Sequence, residues 1–285
     1  MSALTVVTGA TGNVGGSLVT ALVSAGMPVR AMVRSEADAA RFDSGAVQTA
    51  IGDLNEPASL AAALEGAQAL FLLPGYPDMP GLYAAAREAG VGHVVQLSGL
   101  SAGSGDMTNA VTEYMVRSEQ AAEESKLPYT VVRPSAFMTN ALRWADQVRA
   151  GDTVTLPFPT VASACLHQAD LGAVIAAVIA DPDRYAGEVL LPTGPEALLP
   201  RDQVAILAGV LDRPLRFVGL TDEQARESMV ADGTPQRYID AFLDFYADGS
   251  LDESPVRSTV ADVTGSAPRT FADWAADNAS AFARS

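Results

Sequence analysis

The chain has 285 residues with 34 acidic and 18 basic side chains, which give a formal net charge of −16 at pH 7. This balance argues against nucleic-acid binding, and one cysteine with two histidines excludes an internal disulfide and predicts no metal site. Because the sequence has neither a bilayer-length apolar run nor a recognisable secretory signal, we expect a cytoplasmic protein without a membrane span.

The first predicted strand, residues 4–8, leads into a glycine-rich turn, Val-Thr-Gly-Ala-Thr-Gly-Asn-Val-Gly over residues 7–15. Such a turn before a helix places backbone N–H groups where the helix dipole favours a phosphate. The first glycine makes the turn, the second lets the backbone approach a pyrophosphate, and the third lets helix and strand pack closely. The pattern predicts a dinucleotide site that includes Gly9, Thr11, Gly12, Asn13, Val14 and Gly15.

Predicted strands and helices alternate from residue 3 to about residue 135. The strands are 4–8, 29–33, 46–51, 69–73, 93–98 and 129–133, and the helices are 13–25, 36–42, 57–65, 80–89 and 111–125. Apolar runs such as Ala-Leu-Phe-Leu-Leu at 69–73 suit strands that are covered on both faces. The alternation predicts an α/β protein with a doubly wound parallel sheet, the Rossmann arrangement, and a ligand at the carboxyl ends of its strands.

After Pro134 the pattern changes, and the predicted elements are an amphipathic helix at 137–149, an apolar helix at 169–180, a strand at 187–191 and a mostly helical remainder at 201–284. We predict a dinucleotide-binding domain over residues 1–150, which also receives later segments. Residues 151–285 are predicted to form a smaller, mostly helical α+β lobe that closes a substrate cleft against the strand ends.

The ends of the later strands supply further candidates for the cofactor site. The second strand ends at Arg34, with no carboxylate before Glu36. A planar guanidinium there suits the 2′-phosphate of NADP(H), although a solvated surface arginine is the alternative. The remaining candidates at strand ends are Asp53, Leu54, Leu73, Pro74, Ser98 and Pro134.

Four later segments carry a family resemblance. They are Leu-Pro-Tyr-Thr-Val-Val-Arg-Pro at 127–134, His-Gln-Ala-Asp-Leu-Gly at 167–172, Leu-Pro-Thr-Gly-Pro-Glu-Ala-Leu at 191–198 and Pro-Arg-Thr-Phe-Ala at 268–272. With the glycine turn, they resemble the NmrA-like atypical short-chain dehydrogenases/reductases over nearly the whole chain. The resemblance implies NAD(P)H binding, an adenine contact from Asp53, and a nicotinamide end near residues 136–140. That branch includes quinone and azo-dye reductases and also regulators that bind NAD(P) without turnover.

The Tyr-x-x-x-Lys motif of the wider superfamily is missing. Tyr114 is followed at the fourth position by Ser118, and Lys126, the only lysine, lies too far along the helix. Arg117 points about 100° away from position 118, so it does not replace the lysine. Tyr114, as a proton donor, and Ser98, as a polarising hydroxyl, are the candidate catalytic residues. The alternative is a half-buried helix aromatic for Tyr114 and a strand-end hydrogen bond for Ser98.

Aromatic and sulfur-containing side chains near the predicted cleft are candidates for substrate contact. They are Phe137, Met138, Trp144, Phe158 and Tyr76. The alternative for the stripe that begins at Phe137 is a packing seam between the lobes.

The sequence favours an NADPH-dependent reductase that transfers hydride to a small electron-poor or unsaturated organic molecule, such as a quinone, azo or iminium compound. Such acceptors take hydride with little proton chemistry from the protein, which then contributes orientation. The alternatives are an NADP(H)-sensing regulator without turnover and an NAD(P)-using isomerase or epimerase. We expect a small-molecule partner and no nucleic acid or membrane, and the chain is either a monomer or a homodimer.

Overall fold

The computed structural model describes residues 4–42 and 45–284. Its strands are β1 Thr5–Val7, β2 Val29–Val33, β3 Gln48–Ile51, β4 Ala69–Leu72, β5 His93–Leu97, β6 Tyr129–Val132, β7 Thr153–Leu156, β8 Val189–Leu190 and β9 Arg216–Gly219. Seven of them form one parallel sheet in the order β3-β2-β1-β4-β5-β6-β8, and β7 pairs in parallel with β9. The prediction of a doubly wound parallel sheet is confirmed.

Thirteen α-helices lie in the described ranges. They are α1 Asn13–Ser24, α2 Glu36–Ala39, α3 Ala61–Leu64, α4 Met79–Glu88, α5 Ala110–Glu124, α6 Ala145–Ala150, α7 Gln168–Ala180, α8 Pro182–Tyr185, α9 Pro200–Leu211, α10 Asp222–Ala231, α11 Gln236–Tyr246, α12 Thr259–Thr264 and α13 Phe271–Asp277. Within residues 4–42 and 45–284, none of these helices combines the length and the apolar character needed to cross a bilayer.

The apolar strands bury both of their faces because successive side chains point to opposite sides of a sheet. On β4, Phe71 joins the core beneath α1 and α7, whereas Leu70 and Leu72 join the core beneath α3, α4 and α5. Helices on both faces therefore cover the sheet. This arrangement leaves the carboxyl ends of the strands as the open edge where loops can form a site.

The pair α1 and α7 packs closely on one face of the sheet. A methyl group at Gly172 of α7 would lie 2.7 Å from the carbonyl oxygen of Ser17 on α1. Only glycine permits this approach, and large apolar side chains such as Leu18 and Val174 fill the adjoining core. This contact fixes α1, whose N-terminus faces the ligand site.

A third core belongs to the second lobe. It combines residues 138–148 with β7, α9, α13 and Phe282. Conversely, α7 and β8 come after residue 150 in the chain but belong to the first lobe, where β8 extends the sheet beside β6. Each lobe thus contains segments from both sides of residue 150 in the chain. The boundary between 1–150 and 151–285 stays our proposal.

Several local predictions differ from the structure, and two of the differences concern the second lobe. The predicted helix at 137–149 is a 3-10 helix over Met138–Trp144 followed by α6, because Phe137 is extended and pairs with Leu166. The mostly helical remainder at 201–284 contains β9, which the prediction missed together with β7. Strands β7 and β9 come from distant segments of the chain. An ion pair between Arg213 and Asp152, at 2.6 Å, lies next to the first paired residues of the two strands.

Candidate functional site

A crevice of about 440 Å³ lies at the carboxyl ends of β1, β2, β3 and β4. The predicted cofactor residues that line it are Gly9, Thr11, Gly12, Asn13, Val14, Gly15, Arg34, Asp53, Leu54 and Leu73. The prediction missed Met32, Val33, Asp38, Gly52 and Asn55, which also line it. These are neighbours of predicted residues at the ends of β2 and β3, so strand position is the signal that finds them.

The glycine turn has little room for side chains. Gly9 has a φ of +60°, in the left-handed region that favours glycine. A Cβ at Gly9 would lie 2.5 Å from Leu73 Cδ1, and one at Gly15 would collide with the carbonyl oxygen of Gly9. Backbone atoms therefore form the floor of the crevice, which suits the close approach of a pyrophosphate.

The N-terminus of α1 is left available for an anion. No described side chain caps it, and no carboxylate lies in its first turn. By contrast, Asn109 caps α5 and Thr221 caps α10 through their side chains. The first N–H groups of a helix need partners, and their dipole favours negative charge. The residues present therefore fit a dinucleotide diphosphate.

Arg34 and Arg30 lie on the same strand region but differ in their partners. The Arg30 guanidinium donates to Gln48 and to the carbonyl oxygens of Ala63 and Glu65 at 2.7–3.1 Å. In the described chain, Arg34 has neither a hydrogen bond nor an ion pair, and it is exposed at the crevice. Arg34 is therefore the cation positioned to pair with a 2′-phosphate.

Asp53 is arranged by its own loop rather than by a helix cap. Its Oδ1 accepts from the backbone N–H and the side-chain amide of Asn55, both at 2.9 Å. These bonds hold the pKa of the carboxyl below its usual range, and the Arg34 charge adds a smaller effect in the same direction. Tyr76, predicted to contact substrate, lines this crevice, and burial raises the pKa of its hydroxyl.

A second cavity, of about 210 Å³, lies beside the crevice and mostly within the second lobe, and we refer to it as the substrate pocket. Of the predicted substrate residues, Phe137, Met138, Trp144 and Phe158 line it. Its walls are mostly apolar, with a few convergent polar groups, as is usual for pockets that bind small organic molecules. Phe137 lines both the crevice and the substrate pocket, so the two cavities meet at this ring.

The residues near this meeting point are held by long-range backbone bonds. Leu166 donates its N–H to the carbonyl of Ala136 at 2.7 Å and accepts from the N–H of Met138 at 3.1 Å. Phe137 therefore sits on an extended segment whose residues before and after it both bond to Leu166. This pairing keeps the ring between the two cavities.

The candidate catalytic residues Ser98 and Tyr114 line neither cavity. The Ser98 hydroxyl donates to Glu119, which forms a bidentate pair with Arg133. Tyr114 packs against Gly75, and burial raises the pKa of its hydroxyl.

Three further sequence predictions concern residues away from the walls of the two cavities. Pro74 and Pro134 follow β4 and β6 without lining either cavity. Arg117 pairs with Glu113 at 2.8 Å on the exposed face of α5.

A polar cluster in the wall of the substrate pocket was not predicted from the sequence. It comprises Ser163, Cys165, Gln203, Tyr246 and Glu253. The Tyr246 hydroxyl donates to Glu253 at 3.0 Å, and burial raises the pKa of both Cys165 and Glu253. These residues come from separate segments, so no local pattern could have found them.

Comparison with known proteins agrees with this geometry. A model of an NAD(P)H-binding family matches residues 9–182. An NAD(P)H azoreductase of Xenophilus azovorans is 34% identical over 97% of this chain and 98% of its own length. A (4-alkanoyl-5-oxo-2,5-dihydrofuran-3-yl)methyl phosphate reductase of Streptomyces griseus is 36% identical, again over 97% and 98%.

The fold is shared with a solved structure of an NADPH-dependent quinone oxidoreductase from Escherichia coli in complex with NADPH. The TM-score is 0.80 at 22% identity, and the match covers 96% of this chain and 99% of the other. The likeness therefore extends over both lobes.

Proposed function

This chain belongs to the NAD(P)H-binding family, and we propose that it is an NADPH-dependent reductase of the NmrA-like branch of the short-chain dehydrogenases/reductases. Its acceptor is a small, flat, electron-poor or unsaturated organic molecule. The observation that carries the proposal is Phe137, which lines both the crevice and the substrate pocket. A dinucleotide in the crevice and an acceptor in the pocket would meet at this ring.

The crevice residues would hold the cofactor by three kinds of contact. The glycine turn and the N-terminus of α1 bind the diphosphate through backbone N–H groups, and Arg34 binds the 2′-phosphate. Asp53 and Leu54 would contact the adenosine part of the cofactor. Tyr76 would lie beside the same part, because it is near Arg34 and Asp53. When bound, NADPH supplies a hydride to the acceptor, and the protein orients the two molecules.

The charge of the substrate pocket narrows the acceptor class. Among the described residues that line it, none is a lysine or an arginine. A phosphorylated acceptor would lose hydration there without gaining a cationic partner. We therefore infer a preference for uncharged or cationic acceptors, such as azo dyes, quinones and iminium ions, over phosphate esters.

NADPH oxidation with a panel of azo dyes, quinones, iminium compounds and a phosphorylated butenolide tests the proposal. We expect turnover with one or more uncharged or cationic members and none with the phosphate ester. Firm NADPH binding without oxidation by any acceptor would contradict a reductase and favour an NADP(H)-sensing regulator.

A variant that fills the substrate pocket separates binding of the cofactor from turnover. Val161 lines the pocket from a loop and is partly exposed, so Val161→Trp adds bulk without replacing a fully buried residue. We expect acceptor-dependent oxidation to fall about tenfold or more while the NADPH dissociation constant stays within about twofold. Unchanged oxidation would place the acceptor elsewhere.

A further inference from the structure

Tyr246 and Glu253 occupy fixed positions in the wall of the substrate pocket. Tyr246 ends α11, Glu253 lies in the following loop, and the tyrosine hydroxyl donates to Glu253 Oε2 at 3.0 Å. The carbonyl of Glu253 accepts from the N–H of Ala164 at 2.8 Å. Two residues before Tyr246 on α11, Asp244 accepts from the Asn109 amide at 2.8 Å. Both elements that carry the pair are thus anchored to neighbouring segments.

Glu253 is a buried acid without a compensating cation. It is 6% exposed, and within the described part of the chain no lysine, arginine or histidine forms an ion pair with it. The titratable groups that face it are Tyr246 and Cys165, and burial raises the pKa of both. The nearby polar side chains of Ser163 and Gln203 carry no charge.

Burial of an unpaired carboxylate is costly, so burial favours the protonated form of such a group. Burial raises the pKa of Glu253, although the Tyr246 hydroxyl and the backbone N–H of Ala136 each favour the ionised form. A carboxylic acid that faces a mostly apolar pocket is suited to general acid catalysis near neutral pH. A role in packing alone does not require a carboxylic acid.

Resting on the proposed reductase function, we propose that Glu253, held in place by Tyr246, is the proton donor to acceptors that become basic on receiving hydride. With an azo dye, one nitrogen receives the hydride and its electron pair. The N=N double bond becomes a single bond, and the second nitrogen takes the proton of the Glu253 carboxyl. Glu253 is left as a carboxylate and regains a proton from water.

Acceptors differ in their need for this proton. An uncharged azo dye gains a strongly basic nitrogen when hydride adds, so a positioned acid accelerates its reduction. An iminium ion already carries a positive charge, and hydride addition at carbon gives a neutral amine without any proton. If Glu253 donates this proton, its replacement should slow the reduction of an azo dye much more than the reduction of an iminium ion.

The test compares Glu253→Gln with the wild type, using an uncharged azo dye and an iminium compound with NADPH. We expect kcat with the azo dye to fall about a hundredfold and kcat with the iminium compound to stay within about twofold. Equal losses with both acceptors would overturn the role of Glu253. Absence of turnover in the wild type would instead contradict the proposed function. The exposed Glu227→Gln on α10 is the matched control and should leave both rates unchanged.

An infrared measurement on the protein without cofactor tests the protonation state directly. We expect the wild type to show the C=O band of a buried carboxylic acid at neutral pH, and Glu253→Gln to lack it. Tyr246→Phe should keep the band to higher pH, because the lost hydrogen bond favours the carboxylate. A wild-type spectrum without the band, or a band that persists in Glu253→Gln, would overturn the proposal.

Discussion

The crevice and the substrate pocket are built in different ways. The crevice is formed by short turns that directly follow strands, and its key contacts come from the backbone of residues 9–15 and from one cation, Arg34. The pocket is assembled from segments between residues 136 and 271 that are far apart in the chain, and side chains form its walls. Most segments of the cofactor crevice are thus set by their position after a strand of the sheet, whereas the proposed acceptor site is a product of tertiary packing.

The largest expected effect comes from a methyl group in the glycine turn. Gly15→Ala would place a Cβ against the carbonyl oxygen of Gly9, and overpacking of a rigid backbone contact costs about 3 kcal/mol. We expect NADPH affinity, followed by intrinsic fluorescence, to fall about a hundredfold. Unchanged affinity would show that the turn does not need its close packing.

Gly209 on α9 is the matched control for Gly15. A Cβ there meets no atom within 4 Å, and alanine favours a helix over glycine by about 1 kcal/mol. Gly209→Ala should raise the melting temperature and leave NADPH affinity unchanged. A loss of NADPH affinity in Gly209→Ala would show that replacing a helical glycine by alanine lowers affinity even without a steric clash.

Arg34→Ala tests whether one side chain sets cofactor choice in a site otherwise made of backbone. A charge-assisted bond contributes about 1.5–3 kcal/mol, so NADPH affinity should fall about ten- to a hundredfold while NADH affinity stays the same. Titrations of both cofactors into wild type and variant make the comparison. Equal losses for NADPH and NADH would remove Arg34 from contact with the 2′-phosphate.

Glu253→Gln should also change how stability depends on pH. Burial raises the native pKa of Glu253 above its ordinary value of 4.5, so its stabilising contribution is complete below about pH 4.5 and is lost as pH rises through the native pKa. Glutamine has no such loss. The melting temperature of the variant should therefore rise relative to that of the wild type as pH increases. A difference that does not change with pH would contradict a raised pKa of Glu253.

The smallest expected effect concerns a residue outside both cavities. Arg117 and Glu113 form an exposed pair with side chains that are 65% and 41% accessible, and such pairs contribute roughly 0.5 kcal/mol or less. Arg117→Ala should leave turnover unchanged and lower stability by no more than that. A large loss of turnover would give Arg117 the role of the missing lysine.

The same division explains what the sequence could predict. The strand-turn-helix signal and the ends of the predicted strands identify the crevice because most of its segments directly follow a strand. The parallel pair β7 and β9 joins residues about 60 positions apart, and β9 is short and largely exposed, so its local pattern is weak.

For the substrate pocket, residue type alone identified the large apolar side chains but not the polar ones. Phe137, Met138, Trp144 and Phe158 stood out as large apolar residues after the sheet, and they line the pocket. Tyr76 has the same chemistry but lies in the crevice. A single glutamate among many acidic residues carries no signal until folding buries it.

Direct deuterium transfer tests the central claim that the two cavities form one reductase site. NADPH deuterated at C4 of the nicotinamide is mixed with the wild-type protein and an iminium acceptor, whose carbon retains the label in water. We predict an amine product that carries one deuterium from the cofactor and none from solvent. Failure of the label to reach the acceptor carbon, with the cofactor firmly bound, would contradict the account.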